Sequence, residues 1–329
     1  PKEYGGGGLS PDEAMALDAL LAEYALPPPV VGFGLTMLGP TLLQFGSDAQ
    51  KLEHLPPIAR GEIRWCQGYS EPGSGSDLAS LSTRAEQVED EYVLNGQKVW
   101  TSNADLSDWI FCLVRTSTEG RKQAGISFLL VDMEQPGVTV RRIELISGSS
   151  PFCEVFFEDA RTPARHLVHD ENAGWTVAKA LLNHERSMIG EAMGGQLADL
   201  ESELLGLASS HGIAGQAWVR DEIARLAMDE KCLAWTLRRV AQSMADGRPP
   251  GNESSILKVG GSELKQHRWE LAARIAGPQA LGWEGPGFSD EELALTRTWL
   301  RSRGNTIEGG TSEIQLNIIA KRVLGLGVK

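Results

Sequence analysis

The pattern of apolar and polar residues divides the chain into a helical part, a strand-rich part and a second helical part. Over residues 1–61, alanine and leucine recur at helical spacing, and Ser10 before Pro11 predicts the start of a helix that three consecutive prolines end. Further helices are predicted over 35–45 and 47–55. Residues 1–61 are therefore interpreted as a helical domain.

Short segments with strand character follow over residues 62–168. Asn95-Gly96, with β-forming residues on both sides, predicts a two-residue hairpin turn. Further strands are predicted over Ile110–Arg115, Gly125–Asp132, Val138–Leu145 and Phe152–Phe157. Regular short strands separated by turn residues indicate a small β-barrel or sandwich.

Residues 169–329 return to alanine- and leucine-rich helical periodicity. Helices are predicted over 173–209, 218–246, 252–276, 289–302 and 311–323, separated by glycine and proline. The order predicts an α+β chain with three domains, a helical domain over 1–61, an all-β domain over 62–168 and a helical bundle over 169–329.

Charge and cysteine content narrow the function classes. The formal net charge of -13 argues against nucleic acid or an anionic membrane as a partner. The four cysteines are widely spaced, and no cysteine–histidine cluster has the spacing of metal ligands, so no metal site is predicted. The apolar runs are too short to span a bilayer and no secretory leader pattern opens the chain, which predicts a cytoplasmic protein.

Two segments of the strand-rich part are candidates for ligand binding. The loop Tyr69–Asp77 is rich in glycine and serine, so its backbone can approach a polyanion or a heterocycle closely, although a plain surface loop has the same composition. The loop lacks the sequence of a phosphate-binding loop and of a dinucleotide-binding fingerprint. Trp100, followed by Thr101 and Ser102, suits stacking on a flat ring, although a buried core indole fits the pattern as well.

Two further segments of the helical part are candidates for catalysis. Glu185 interrupts an apolar helical run, where burial would raise the pKa of its carboxyl and suit it to proton transfer; a solvated helix residue is the alternative. Gly309-Gly310 precedes Thr311-Ser312 at a helix start, where free backbone N–H groups suit an oxygen anion, or where a simple N-cap suffices.

In their order and spacing these four segments, with Ala320–Gly325 and the opening Pro1–Gly6, resemble the acyl-CoA dehydrogenase family over essentially the whole chain. The resemblance implies an N-terminal helical domain, a middle β-barrel domain and a C-terminal four-helix bundle, assembled as tetramers with FAD. It also implies an N-terminal domain that is incomplete here, because the family usually has several more helices before Pro1.

The resemblance implies which residues bind cofactor and substrate. Those implied to contact FAD are Gln67, Tyr69, Ser70, Gly75, Ser76, Trp100, Thr101, Ser102, Thr311, Ser312 and Glu313. Those implied to contact the acyl-CoA substrate are Ser76, Asn183, His184, Arg186, Gly309 and Gly310.

The implied reaction is α,β-dehydrogenation of an acyl-CoA thioester, in which a carboxylate takes the α-proton and flavin accepts the β-hydride. Gly309 stands where the family most often has its catalytic glutamate, and Glu308 is one residue early. The isovaleryl and long-chain types instead carry a Glu-Arg pair in the first bundle helix, which Glu185-Arg186 resembles. The resemblance therefore favours Glu185 as the base over Glu308.

Two segments depart from the family pattern. Residues 208–215 lack the arginine and phenylalanine with which the family binds the neighbouring subunit's FAD, and Arg274–Pro278 replaces a Gln-x-x-Gly-Gly sequence. A chain of this kind resembles one subunit of the α2β2 dehydrogenases of bacterial steroid side-chain degradation. An electron-transfer flavoprotein or a similar acceptor is the expected redox partner. The alternatives are an acyl-CoA oxidase or flavin monooxygenase on the same fold, and a non-catalytic partner subunit.

Overall fold

The computed structural model describes residues 1–27, 30–182, 200–245 and 253–327. They belong to two units. The first unit comprises Pro1–Ile143 with Ser150–Glu185, and the second comprises Glu144–Ser149 with Arg186–Lys329.

Among the described residues, three α-helices precede the sheet of the first unit: α1 Pro11–Glu23, α2 Gly39–Phe45 and α3 Asp48–Ala59. The Ser47 side chain caps α3 by accepting from the Gln50 amide, while the Gln50 side chain accepts from the Ser47 amide. The helix continues to Ala59, past the predicted end at residue 55 and through two prolines. Leu55 and Ile58 are buried on its inner face, and this packing holds the last turn although proline cannot donate a helical hydrogen bond.

The described residues contain seven strands: β1 Trp65–Gly68, β2 Arg84–Val88, β3 Glu91–Ser102, β4 Trp109–Arg115, β5 Ile126–Asp132, β6 Val138–Ile143 and β7 Phe152–Pro163. They form one sheet in the order β1-β4-β2-β3-β7-β6, with β5 paired to β4. Apolar side chains from β3, β4, β5 and β7 pack into one buried cluster. The predicted central β domain is confirmed, and β1 and β2 are additional to the predicted strands.

The predicted hairpin at Asn95-Gly96 is wrong, because β3 runs through both residues without turning. The register between β3 and β7 shifts at this point. The Asn95 side-chain amide donates a hydrogen bond to the Asp159 carboxylate, and the Asp159 backbone N–H donates one to the Asn95 side-chain carbonyl. Leu94 and Gly96 are two residues apart, whereas their β7 partners Ala160 and Phe157 are three apart, so β7 carries the extra residue of a β-bulge opposite Asn95. The real turn lies at Glu89 and Asp90, between β2 and β3, with Glu89 at a φ of 56°.

Residues 174–182, helix α4, end the described part of the first unit. The second unit contains α5 Leu200–Ser210, α6 Ala217–Ala245, α7 Ser254–Ala276, α8 Asp290–Ser302 and α9 Ser312–Ile318. Helix α7 packs against α5, α6, α8 and α9, and buried residues such as Leu204, Ile223, Leu264 and Leu271 form the core. The predicted C-terminal helices are thereby confirmed within the described ranges. None of the helices described is both long and apolar enough to cross a membrane.

Candidate active site

The loop after β1, Tyr69–Asp77, is closed at its base by paired backbone hydrogen bonds. The Glu71 amide donates to the Ser74 carbonyl and the Ser74 amide to the Glu71 carbonyl, each at 2.9 Å. Gly75 and Ser76 lie exposed beyond this closure, and a Cβ atom at Gly75 would have no neighbour within 4 Å. The tip of the loop is therefore open to a ligand.

A buried ion pair holds this loop against the sheet. The Lys98 Nζ lies 2.7 Å from Glu71 Oε1, with the two side chains 0% and 5% exposed. Glu71 also accepts hydrogen bonds from the Ser82 amide at 2.6 Å, the Ser82 hydroxyl at 2.9 Å and the Thr83 amide at 2.9 Å. Burial alone would raise the pKa of Glu71, but Lys98 and these hydrogen bonds outweigh it and lower the pKa to about 2.

The same pair fixes where the loop meets the end of β3. Lys98 also donates to the Tyr69 carbonyl at 3.2 Å, and the Val99 amide donates to the Ser70 carbonyl at 2.9 Å. We did not predict this role for Glu71 and Lys98 from the sequence. The sequence does contain one indication of it: Lys98 lies on the same face of β3 as the buried Tyr92. A lysine buried there needs a partner, because an unpaired buried charge is costly.

Trp100 projects outward at the end of β3. The register of β3 with β7 shifts between Lys98 and Thr101, and Trp100 adopts a φ of 61°, a left-handed conformation that costs a non-glycine residue roughly 1–3 kcal/mol. Its side chain is 56% exposed and meets Phe152 edge-on, with ring centroids 6.3 Å apart. Trp100 is thus not a core residue, and its indole is available for stacking on a flat ligand.

Buried polar atoms in the same unit lack hydrogen-bond partners among the described residues. They include the Gln67 Nε2 on β1 and the Thr101 Oγ1 on β3. Ser102, next to Thr101, is half-buried. Since buried polar groups are nearly always hydrogen-bonded, these atoms indicate a ligand that supplies donors and acceptors.

Tyr69 differs from the other residues of the predicted flavin site. Its side chain is only 5% exposed, and its ring packs edge-on against Phe111 and Phe128 in the core. Ser70 is half-buried. The structure therefore assigns the Tyr69 ring to the packing beneath the loop.

In the second unit, two glycines precede helix α9 in left-handed conformations. Gly309 has a φ of 65° and Gly310 a φ of 87°. The Thr311 hydroxyl caps α9 by accepting from the Ile314 amide at 3.3 Å, and the buried Gln315 donates from Nε2 to the Gly309 carbonyl at 3.0 Å. The Ser312 hydroxyl is buried without a partner among the described residues, and Glu313 is exposed. Gln315, which the sequence analysis did not single out, thus fixes the two-glycine turn.

Glu308, directly before this turn, is held by side chains near the end of α8. Arg301 donates to its Oε2 at 2.6 Å and Asn305 donates to its Oε1 at 2.5 Å. Both carboxylate oxygens therefore have partners within the second unit. The predicted base and three substrate-binding residues, Glu185, Asn183, His184 and Arg186, lie outside the described residues.

Family models match the chain along nearly its whole length. They are the N-terminal, middle and C-terminal domains of acyl-CoA dehydrogenases, and they match residues 1–62, 66–160 and 172–324. The chain belongs to the acyl-CoA dehydrogenase family and is an oxidoreductase of that class.

Known relatives are similar over almost all of this chain. Acyl-CoA dehydrogenase IpdE1 of Mycobacterium tuberculosis is 40% identical over 99% of this chain and 83% of its own length. The structure of the Tcur3481-Tcur3483 steroid ACAD is 30% identical, with a TM-score of 0.88 over 100% of this chain and 85% of that chain. The ChsE4-ChsE5 complex from Mycobacterium tuberculosis is 31% identical, with a TM-score of 0.82 over 100% of this chain and 86% of that chain.

Proposed function

We propose that this chain catalyses FAD-dependent α,β-dehydrogenation of an acyl-CoA thioester with a bulky acyl group of the steroid side-chain class. The observation that carries the proposal is the outward-facing Trp100 beside buried polar atoms without partners, in a chain of this family. The similarity to a steroid ACAD supports the substrate class. We also propose domain boundaries near residues 62 and 169, which lie close to the gaps between the matched family models.

The described residues fit a flavin. The exposed Trp100 offers a stacking surface, while Gln67 Nε2 and Thr101 Oγ1 offer polar atoms that nothing else in the described chain satisfies. The open loop tip at Gly75 and Ser76 gives the backbone close access to a ligand. Bound FAD would supply the acceptor for the electrons that leave the acyl group.

The proton is taken by Glu185 in this proposal. Gly309 has no side chain, and the carboxylate of Glu308 accepts hydrogen bonds from Arg301 and Asn305, which supports a base elsewhere in the chain. The backbone N–H groups at Gly309 and Gly310 stabilise the negative charge that develops on the thioester oxygen. Asn183, His184 and Arg186 bind the CoA portion.

The active assembly in this proposal is an α2β2 tetramer with a second acyl-CoA dehydrogenase-like chain. Arg274 begins the segment that stands where the family has a Gln-x-x-Gly-Gly sequence. Its side chain contacts residues of its own unit. Its guanidinium lies 3.4 Å from the Glu222 carboxylate and 5.1 Å from the centre of the Trp218 ring. These contacts within its own unit, together with the missing family sequence, support a second chain as the source of the distal FAD contacts.

Native mass spectrometry of the chain, expressed alone and with a paired chain, tests the assembly when bound flavin is counted. We expect little flavin on the chain alone, and an α2β2 species with flavin for the pair. One FAD per subunit and full turnover by the chain alone would contradict the paired assembly.

Product analysis in air and without oxygen tests the reaction. We expect an α,β-unsaturated acyl-CoA when an electron-transfer flavoprotein or an artificial dye accepts the electrons, and flavin that stays reduced in air for longer than one turnover. Rapid peroxide formation or a hydroxylated product would contradict a dehydrogenase and indicate the oxidase or monooxygenase chemistry. A flavin-loaded complex in which this chain's site has no activity would indicate a non-catalytic subunit.

A further inference from the structure

A histidine–histidine–carboxylate cluster lies in the first unit among residues to which the acyl-CoA dehydrogenase reaction gives no role. Glu53 and His54 are neighbours on α3, and His166 lies in the short helical turn after β7. Each residue offers one potential ligand atom, and these atoms all lie within 4.8 Å of one another. His54 and His166 are 2% and 3% exposed, whereas the Glu53 side chain is 40% exposed and reaches solvent.

The two elements that carry the cluster are held together by another side chain. The Nε2 of Gln50, one helical turn before Glu53, donates to the carbonyls of Arg165 at 2.7 Å and Leu167 at 2.8 Å. These carbonyls lie on either side of His166 in the chain. The three potential ligands are therefore positioned by the fold itself, as a preorganised site requires.

One imidazole nitrogen of the cluster residues has no hydrogen-bond partner among the described residues. The Nε2 of His54 is buried and has no hydrogen bond among the described residues. Its ring stands edge-on to Trp65 and Trp109, at centroid distances of 5.3 and 5.1 Å, and 5.5 Å from the His166 ring. A buried nitrogen of this kind needs either a hydrogen-bond partner or a metal ion.

The hydrogen bonds of His166 leave a lone pair facing a carboxylate. The Thr162 hydroxyl donates its only proton to the Leu130 carbonyl at 2.6 Å, so it can only accept from His166 Nδ1, which lies 3.2 Å away. A neutral His166 then has its lone pair on Nε2, 3.3 Å from Glu53 Oε1. Either a proton on Nε2 or a metal cation is then needed between these two atoms, and the buried cluster offers a metal ion two nitrogen ligands beside the carboxylate.

We propose that Glu53, His54 and His166 bind a divalent transition-metal ion, with Zn²⁺ as the expected occupant. Two imidazoles and one carboxylate suit Zn²⁺ and its neighbours rather than Mg²⁺ or Ca²⁺, which require oxygen ligands. Tetrahedral ligands at Zn²⁺ distances are roughly 3.4 Å apart, close to the 3.3 Å between His166 Nε2 and Glu53 Oε1. Arg165 approaches only Oε2 of Glu53, at 3.9 Å, and leaves Oε1 available.

The bound ion connects α3 to the segment after β7. A metal that binds the folded state and not the unfolded chain stabilises the fold by mass action. The expected role is therefore structural, and water from the exposed side of Glu53 fills the fourth position. The inference is independent of the proposed reaction, since it concerns the residues that join the helices to the sheet.

Metal titration of the full chain, in the assembly in which it is purified, tests the site. After chelator treatment and buffer exchange, Co²⁺ is added as the spectroscopic probe and Zn²⁺ as the competitor, and thermal unfolding is followed with and without Zn²⁺. We expect one saturable Co²⁺ site per chain with visible absorption, its displacement by Zn²⁺, and a rise of several degrees in unfolding temperature.

Glu53→Gln decides the outcome, because this exposed side chain can lose its charge without disturbing the core. It should weaken metal binding at least about 30-fold and abolish the thermal shift, as loss of a ligand should cost at least as much as loss of an outer-shell partner. His166→Gln should have the same effect, and His211→Gln, in the second unit, should leave binding unchanged. The absence of saturable binding in the unmodified chain, or unchanged binding in Glu53→Gln, would overturn the proposal.

Discussion

The guanidinium of Arg301 donates a hydrogen bond to the carboxylate of Glu308 at 2.6 Å. With Asn305 bound to the other oxygen, the carboxylate next to Gly309 is fixed to the end of α8. By its resemblance to the family, the sequence predicts that Gly309 stands at the usual position of the catalytic glutamate. Glu308, the acid that precedes Gly309 in the chain, already has partners on both oxygens, and this supports a base on another helix.

Replacing Glu308 by Gln should therefore leave catalysis almost intact. The Arg301 and Glu308 side chains are 31% and 42% exposed, and such pairs contribute no more than about 1 kcal/mol to stability. We expect kcat within about threefold of the unmodified enzyme, because no step of the proposed reaction uses this carboxylate, and an unfolding temperature lower by a few degrees at most. Steady-state kinetics and calorimetry measure both quantities.

Gln315→Leu should weaken substrate handling without removing flavin. The Gln315 side chain donates to the Gly309 carbonyl at 3.0 Å, and leucine keeps the volume but loses this hydrogen bond. A looser two-glycine turn should misplace the backbone donors proposed for the thioester oxygen and lower kcat/KM about 10-fold or more. Flavin absorbance should be unchanged. Wild-type kcat/KM in a variant with normal flavin content would show that the turn does not need this hydrogen bond.

Glu71→Gln should destabilise the first unit and change its response to acid. Losing the charge leaves Lys98, which is 0% exposed, without its counter-ion, and breaking a buried pair in this way costs roughly 3–5 kcal/mol. The pKa of Glu71 is about 2 in the folded chain, below the ordinary glutamate value of 4.5. Its contribution is thus complete above about pH 4.5 and is lost as the pH falls toward 2.

Calorimetry of both proteins as a function of pH measures this difference. The unmodified chain should lose stability over that acid range more steeply than Glu71→Gln. Glu86→Gln is the matched control, since Glu86 and Arg84 form an ion pair with both side chains 66% exposed. It should change stability by less than about 1 kcal/mol. Parallel pH profiles for Glu71→Gln and the unmodified chain would contradict the assigned pKa.

Gly96→Ala should test the continuous path of β3 that replaces the predicted hairpin. A Cβ atom at Gly96 would lie 2.6 Å from the Thr83 Cα, which is backbone and cannot move away cheaply. We expect a loss of roughly 1–3 kcal/mol, as for other overpacking substitutions. Gly206→Ala is the control, because its Cβ atom meets nothing within 4 Å inside α5 and should stabilise the helix by about 0.5–1 kcal/mol. Equal unfolding temperatures for the two variants would argue against the close approach of β3 to Thr83 at this position.

Local signals predicted much of the fold. Ser10, which accepts from the Glu13 amide at 3.3 Å, and Ser47 cap the helices as expected, since capping depends on residues only three positions apart. The hairpin prediction at Asn95-Gly96 is wrong for the opposite reason. The conformation of these two residues depends on Asp159 and Thr83, which are distant in sequence, and the turn preference of the dipeptide did not decide the structure.

In the candidate site, too, some features follow from the local sequence and others depend on contacts between residues that are distant in the chain. The loop after β1 and the exposed Trp100 could be located from composition and from the family resemblance. The pairing of Lys98 with Glu71, and the engagement of Glu308 by Arg301, required the three-dimensional arrangement. The cluster of Glu53, His54 and His166 joins residues more than a hundred positions apart, so no local spacing could reveal it.

The most direct test of the account is the rate at which an acyl-CoA substrate reduces the bound flavin in anaerobic stopped-flow measurements. The unmodified enzyme, Glu185→Gln and Glu308→Gln are compared at equal flavin content, with CoA thioesters of steroid side-chain acids as substrates. Because a positioned base contributes about 10²–10⁴-fold, Glu185→Gln should slow flavin reduction by at least about 100-fold, while Glu308→Gln should remain near the unmodified rate. Unmodified rates in Glu185→Gln, or loss of reduction in Glu308→Gln instead, would contradict the assignment of the base.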